Sequence, residues 1–374
     1  MMAFYFKIIS VSFIFLFTTV ISASTTAKKG NDKEVVMDTI HVNGMVLKGK
    51  ITNLGPEKLS FSLVNIDGNN DIPYKDIDSI HSKYNYSISY GDKKINGKVV
   101  GIVDQKSLKI ESADKTEVVK ISEIDYFGMS LEDDDSVENR VNHAIPYLSG
   151  NVHLGLEFDD GARKQDTIKI YMDLLRKKAK HETYFHFDYE FETTEVPDKP
   201  KVESEDELAA ILGHRYFYDP NNFLYTGILG EFDRPRNIDA RYVLDAGYGH
   251  KFTFGKGKWI QPWLGLGYVW TRYVEDDIYP DKDFTAAALG LNGVYQFNDV
   301  KWINRLKMDG EILYYPSLSN PDEDWLLRSR FGITVPIYEF FSVKLNVQWV
   351  NDSNPDPSIG NNKTQTDILF GFSF

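Results

Sequence analysis

The chain has 374 residues, with 42 Lys and Arg against 55 Asp and Glu, a formal net charge of −13, and no Cys. That charge excludes nucleic acid as a partner, since phosphate binding needs clustered Lys and Arg. The lack of Cys excludes disulfides, thiolate zinc sites, iron–sulfur ligation and thiol catalysis. Aromatic residues reach 14%, with 24 Phe and 22 Tyr against 7 Met, an excess that suits strands or a membrane interface better than helices.

Residues 1–24 read as a secretory signal peptide: Lys7 supplies the charge, Ile8 to Val20 the apolar run and Ser22-Ala23-Ser24 the small residues. The run is shorter than the roughly 20 residues of a spanning helix, and no later stretch approaches one. Any membrane crossing must therefore be made by a closed β-barrel.

Residues 33–129 read as a tandem of two small SH3-like or Sm-like β units. Leu47-Lys48-Gly49-Lys50-Ile51, Leu59-Ser60-Phe61 and Asp76-Ile77-Asp78-Ser79-Ile80 recur as Ile95-Asn96-Gly97-Lys98-Val99, Leu108-Lys109-Ile110 and Glu123-Ile124-Asp125-Tyr126-Phe127. Alternating apolar residues between Gly, Asn and Asp predict short antiparallel strands. Lys48, Lys50, Lys93, Lys94 and Lys98 suit solvated strand edges, or a face toward a cell-wall or periplasmic partner. Residues 130–148 open on Ser130 to Glu138, an acidic stretch without the Gly and Glu spacing of an EF-hand, and read as a linker.

Residues 149–374 read as a transmembrane antiparallel barrel of roughly twelve strands, placed at 150–159, 166–177, 180–193, 206–218, 222–233, 239–253, 259–274, 283–298, 301–315, 324–335, 339–351 and 363–374. The runs are about ten residues or longer, as a tilted bilayer crossing requires, whereas soluble strands average about five or six. Connections alternate between short turns such as Lys178-Ala179 and longer, charged, Pro-containing loops such as Thr194 to Asp206. One face of each run is apolar, as in Phe185, Phe187, Tyr189 and Phe191. The other carries charge that a dry core would not accept: His186, Asp188, Glu190, Arg241, Asp245, Arg305, Lys307, Asp309, Glu311, Arg328, Arg330 and Lys344 form the expected lumen network. Tyr225, Trp259, Trp270, Tyr273, Trp302, Tyr314, Trp325, Tyr338 and Trp349 lie near strand ends, where interfacial girdles occur. Phe370, Phe372 and Phe374 close an alternating aromatic strand and resemble the signal by which outer-membrane proteins are recognised by the barrel-assembly machinery.

With its signal peptide, its paired Gly-Lys units, Gly150-Asn151-Val152-His153-Leu154-Gly155-Leu156 and Asp239-Ala240-Arg241-Tyr242 leading into Ala246-Gly247-Tyr248-Gly249, the chain resembles the salt-induced outer-membrane proteins, domain-of-unknown-function family 481. At the first hairpin, Asp159-Asp160-Gly161-Ala162-Arg163 stands where the family often carries a Gly-Asn-rich turn. The resemblance implies a bacterial outer-membrane location and an osmotic link, with no catalytic residues to transfer.

Nothing in the residues calls for a cofactor or a metal. His186, Asp188 and Glu190 share a strand face, but lumen pairing with Arg328, Arg330 or Lys344 accounts for them. The acidic loops at Glu275 to Asp283 and Asp322 to Asp324 suit solvent or cations bridging to lipopolysaccharide. Three readings follow. The first is a non-enzymatic envelope protein, structural or osmotic, with a charge-filled lumen, its partners being outer-membrane lipid and lipopolysaccharide. The second is a narrow pore for ions or small solutes. The third is an outer-membrane lipid hydrolase, which needs a lipid-facing His beside Ser at an aromatic rim; no Gly-x-Ser-x-Gly elbow is present.

Overall fold

The computed structural model describes residues 37–55, 57–64, 69–113, 115–160, 164–195, 202–255, 257–274, 280–297, 306–338, 341–353 and 362–374. The expected signal peptide lies outside them. The chain divides into two units, residues 1–147 and 148–374.

The first unit is a duplication of topology. Strands β1 (Asp38–Val42), β2 (Met45–Leu54), β3 (Lys58–Leu63), β4 (Asn69–Pro73) and β5 (Ile77–His81) form a sheet ordered β4-β3-β2-β1-β5. Strands β6 (Tyr86–Tyr90), β7 (Lys93–Val103), β8 (Ser107–Glu111), β9 (Thr116–Lys120) and β10 (Ile124–Met129) repeat it as β9-β8-β7-β6-β10. Each copy makes a 3-10 turn before its last strand, at Tyr74–Asp76 and Ile121–Glu123. Both copies are thus small five-stranded antiparallel sheets with the same strand order. Asn43 and Gly44 join β1 to β2 with φ of 49° and 80°, the left-handed pair that a two-residue hairpin turn demands.

The two copies share one core. Ile40, Ile51 and Phe61 of the first pack in one buried cluster with Tyr86, Val99 and Ile110 of the second. A unit of some fifty residues buries only a small core, so packing the two copies together adds to the stability of both. Asp38 ties them: Oδ1 accepts from the Lys83 amide at 2.8 Å, while Oδ2 accepts from the Ile51 amide at 3.1 Å and from the Tyr86 phenol. Burial, reinforced by Asp38, raises the Tyr86 phenol well above its ordinary value of 10.0. Burial raises Tyr74 likewise and takes Tyr126 to about 12. A phenol that resists ionisation in the folded state stabilises it fully below the unfolded value near 10 and loses that contribution as pH rises beyond it. We therefore expect this unit to lose hydrogen-exchange protection above about pH 10, with Tyr86→Phe flattening the dependence; an unchanged profile in Tyr86→Phe would exclude Tyr86 as its source.

The acidic stretch expected as a linker contains a helix, α1 (Val137–Ala144). Ser136 caps it, its hydroxyl accepting from the Asn139 amide at 3.3 Å, and Asn139 and His143 reach back to the Met129 carbonyl at 3.0 and 2.7 Å. The cap satisfies one of the free amides at the helix start, and β10 supplies the packing that an eight-residue helix needs.

The second unit is a closed antiparallel ring. In chain order its strands are β11 (Leu148–Asp160), β12 (Lys164–Lys178), β13 (His181–Glu195), β14 (Val202–Phe217), β15 (Asn222–Asp233), β16 (Ile238–His250), β17 (Phe252–Gly255), β18 (Lys258–Tyr273), β19 (Lys282–Gln296), β20 (Lys307–Pro316), β21 (Trp325–Tyr338), β22 (Phe341–Asp352) and β23 (Asn362–Ser373). Both β16 and β17 pair with β18, so they are two stretches of one strand. Among the described residues the ring thus has twelve strands, as expected, each hydrogen-bonded to its sequence neighbour. Of the ninth expected strand, 301–315, β20 covers the part from Lys307, and 301–305 lie outside the described residues.

β11 and β23 close the ring through a short seam. They pair only Asn151–Leu154 with Phe370–Ser373, although β11 pairs with β12 along all 13 of its residues. Gly150 and Phe374 add two backbone hydrogen bonds of 2.9 Å at the end of the seam. Gly371 is required there, since a Cβ at that position would lie 2.0 Å from the Val152 carbonyl oxygen.

Candidate functional site: the barrel interior

Alternation divides the ring into two chemically opposite faces. On β15, Phe223, Tyr225, Leu229, Glu231 and Asp233 are buried, while Leu224 and Ile228 are exposed. On β23, Asp367 and Leu369 are buried between the exposed Ile368 and Phe370. The same rule leaves Leu156, Leu264, Leu266, Leu289, Ile312 and Phe331 on the outside, a large exposed apolar belt.

The buried charges pair across the ring. Arg241 on β16, 2% exposed, donates Nη1 to Glu231 Oε1 at 2.8 Å, Nε to Thr271 Oγ1 at 3.0 Å and Nη2 to Asp352 on β22. Arg328 on β21 binds the other oxygen of Glu231. Toward the strand termini, Asp173 on β12 gathers three donors: His186 Nδ1 at 3.0 Å, Arg330 Nη1 at 3.3 Å and Lys344 Nζ at 3.1 Å. Lys344 also donates to the Tyr171 hydroxyl at 2.7 Å and lies 3.5 Å from Asp309, and Arg330 reaches Glu311 at 3.6 Å. Asp188 accepts from Gln348, and Glu207 pairs with Lys363. Lys169 bridges Glu190 at 2.8 Å and Asp367 at 2.5 Å. That last pair straddles β11, where Gly155 leaves room for the lysine stem.

The structure therefore brings His186, Asp188, Glu190, Arg241, Glu311, Arg328, Arg330 and Lys344 into the interior network. Asp245 joins through the Tyr315 hydroxyl at 2.7 Å, and Lys307 lies 3.7 Å from Asp309. Arg305 lies outside the described residues. Asp173, Glu207, Glu231, Lys169, Asp352, Lys363 and Asp367 also belong to the network without having been singled out from the sequence; each sits on the inward parity of its strand, the signal that would have found them. His186, Asp188 and Glu190 do not converge: each turns to a different partner. Among the described residues no group of three or more His, Asp or Glu side chains is placed to hold a metal ion.

Charge does not fill the whole lumen. Tyr225, Leu229, Val243, Trp263, Val269, Leu313 and Tyr315 form an apolar cluster inside the ring, with Tyr225 and Trp263 ring centroids 4.3 Å apart. Tyr225 and Tyr273, expected in the interfacial girdle, are buried inward instead, because both lie on the odd, lumen-facing parity of their strands. Trp302 and the Tyr338 side chain lie outside the described residues, while Trp349 faces outward.

Small cavities lie between these side chains. A cavity of about 30 Å³ lies among Asp188, Glu207, Arg328 and Lys363, and one of about 20 Å³ beside His186 and Arg330. Each holds no more than one or two waters. A wider vestibule of about 320 Å³ opens at the end bearing Gly150 and Phe374, among Asp173, Arg215, Lys307 and Asp309. His153 Nε2 lies 3.1 Å from Ser342 Oγ, but both are fully buried on the inward face, and His153 Nδ1 has no partner to orient it. Phe370 and Phe372 face outward on β23.

The family model described as "Protein of unknown function, DUF481" matches residues 152–374. The chain belongs to the DUF481 family. The match covers nearly the whole of the ring, in accord with the resemblance read from the sequence. Among solved structures, the DUF481 ring is similar to the NanC porin at 11% identity, over 60% of this chain and 98% of that one, with a TM-score of 0.35. It is similar to the translocator domain of the autotransporter NalP from Neisseria meningitidis at 9% identity, 61% and 87% coverage and a TM-score of 0.33. The outer membrane channel DcaP of Acinetobacter baumannii matches at 9% identity, 90% and 94% coverage and a TM-score of 0.27. No curated protein matches the chain.

Proposed function

We propose that this chain is an integral β-barrel of a bacterial outer membrane, with its duplicated β unit in the periplasm and a lumen sealed by its own side chains, acting as a structural or osmotic-adaptation protein of the envelope. The observation that carries this reading is the opposition of the two faces: an apolar belt outside, and inside it ion pairs that link strands across the ring. Such a ring is stable where lipid meets the belt and the lumen is polar. A barrel of about twelve strands lies between filled small barrels and open porins in width, and here side chains occupy that width. On the side bearing Gly150 and Phe374, β12 and β13, β14 and β15, and β21 and β22 are joined by two to four residues, which supports a periplasmic position for that end, although β19 and β20 on the same side are ten residues apart. Phe370 and Phe372, facing outward beside the seam, suit recognition by the assembly machinery.

The test is conductance of the refolded protein in a planar lipid bilayer. We expect no unitary steps from protein shown to have inserted. Regular steps would overturn the sealed lumen and favour the narrow pore, for which the polar vestibule of about 320 Å³ is the supporting feature; Arg328 and Arg330 would then be its selectivity residues. The His153–Ser342 contact faces the lumen, away from lipid, and lends no support to the lipid hydrolase.

A further inference from the structure

Among the described residues the outward face carries a notch on β19 and β20. β19 and β20 place Gly293 directly opposite Gly310. Both lie on the outward parity, in step with the exposed Leu291 and Ile312. The flanking strands put Ile260 beside Gly293 and Phe331 beside Gly310. Two adjacent glycines thus make a floor of bare backbone between two large apolar walls. The resulting groove measures about 880 Å³, within the roughly 300–1,000 Å³ of small-ligand sites. At its short-turn end, Lys258 is paired with Tyr295, its ammonium 4.7 Å from the ring centroid. No carboxylate among the described residues neutralises Lys258. Gly257, at φ 72°, sets the tight turn that holds this lysine at the rim.

We infer that this groove is a site for a glycerophospholipid, one acyl chain lying over Gly293 and Gly310 and an anionic headgroup meeting Lys258. The inference rests on the bilayer reading above. Within that belt the groove faces hydrocarbon, which leaves an acyl chain as the material to fill it. A cation held against an aromatic ring at the interface suits a lipid phosphate. A second copy of the chain would need a self-complementary patch, which a narrow notch with a cation at one end does not offer.

Native mass spectrometry of the full chain, released from micelles containing phosphatidylglycerol or phosphatidylcholine, tests the site. Wild type should retain one phosphatidylglycerol in preference to phosphatidylcholine. Gly310→Leu fills the floor without moving backbone, since a Cβ there meets its nearest atom, the Arg330 carbonyl oxygen, at 3.5 Å. It should cut retention by about tenfold or more, because several methylene contacts are lost. Lys258→Glu should abolish the preference for phosphatidylglycerol and leave phosphatidylcholine retention as it was. No retained lipid in wild type, or equal retention in Gly310→Leu, overturns the inference. So does a wild-type dimer that Gly310→Leu turns into a monomer, which would make the groove an interface between copies. Vesicle insertion measured on the same preparation separates the two levels: inserted protein without retained lipid sinks this inference alone, and failure to insert sinks the bilayer reading with it.

Discussion

Arg241→Ala should lower the unfolding free energy of the barrel by about 3–5 kcal/mol. The guanidinium is 2% exposed and serves Glu231, Thr271 and Asp352 at once. Removing it takes a shared buried cation from Glu231 and Asp352, and the cost of breaking a buried pair exceeds that of a lost surface pair several-fold. Arg328 still neutralises part of Glu231, which moderates the loss. Arg241→Lys keeps the charge but not the fork that reaches three groups, and should fall between the two. Urea unfolding of vesicle-inserted protein, followed by Trp fluorescence, measures it. A loss below about 1 kcal/mol, the range of exposed pairs, would mean that water reaches Glu231 and Asp352 freely and that the lumen is not sealed at this level.

Leu345→Arg should cost about 2–4 kcal/mol and impair assembly. Leu345 lies near the middle of β22, faces outward and sits between Ile333 and Ile368 on the neighbouring strands. An arginine there must place its charge in hydrocarbon or draw it toward the interface. The residues on either side, Lys344 and Asn346, are fully buried on the opposite face, so a single position separates the two environments. Folding yield into vesicles and the unfolding free energy of the product are the readouts. If neither changes, this face does not meet lipid and the membrane assignment of the ring fails.

Much of the ring was legible because β-strand geometry has a period of two and that period is written in single residues. The strand expected at 222–233 is β15, residue for residue, and its inward set follows from parity alone. What parity does not contain is the partner. Arg241 and Asp352 lie 111 positions apart, and they meet because of the width and closure of the ring. Tyr225 shows the other failure: its residue type suggested an interfacial girdle, whereas it shares the parity of Glu231 on the same strand and therefore points inward. Local geometry outranks residue preference where the two conflict. The helix at Val137–Ala144 was hidden by acidic neighbours that read as solvated linker, although Ser136 three residues before Asn139 is a capping arrangement. The duplication in the first unit was visible as repeated motifs, but the shared core across Asp38 and Tyr86 was not, since sequence similarity between copies says nothing of how they pack.

The short seam also governs when the ring can exist at all. Its four residue pairs join the first strand of the barrel to the last, so the contacts that complete the ring are those most distant in the chain. Contacts of that separation form late, after the full entropy of loop closure has been met. Until the terminal strand arrives, the other eleven are an open sheet with two unsatisfied edges, a form that invites pairing with other chains. We expect closure to be the last step of assembly, with both edges open until it is made.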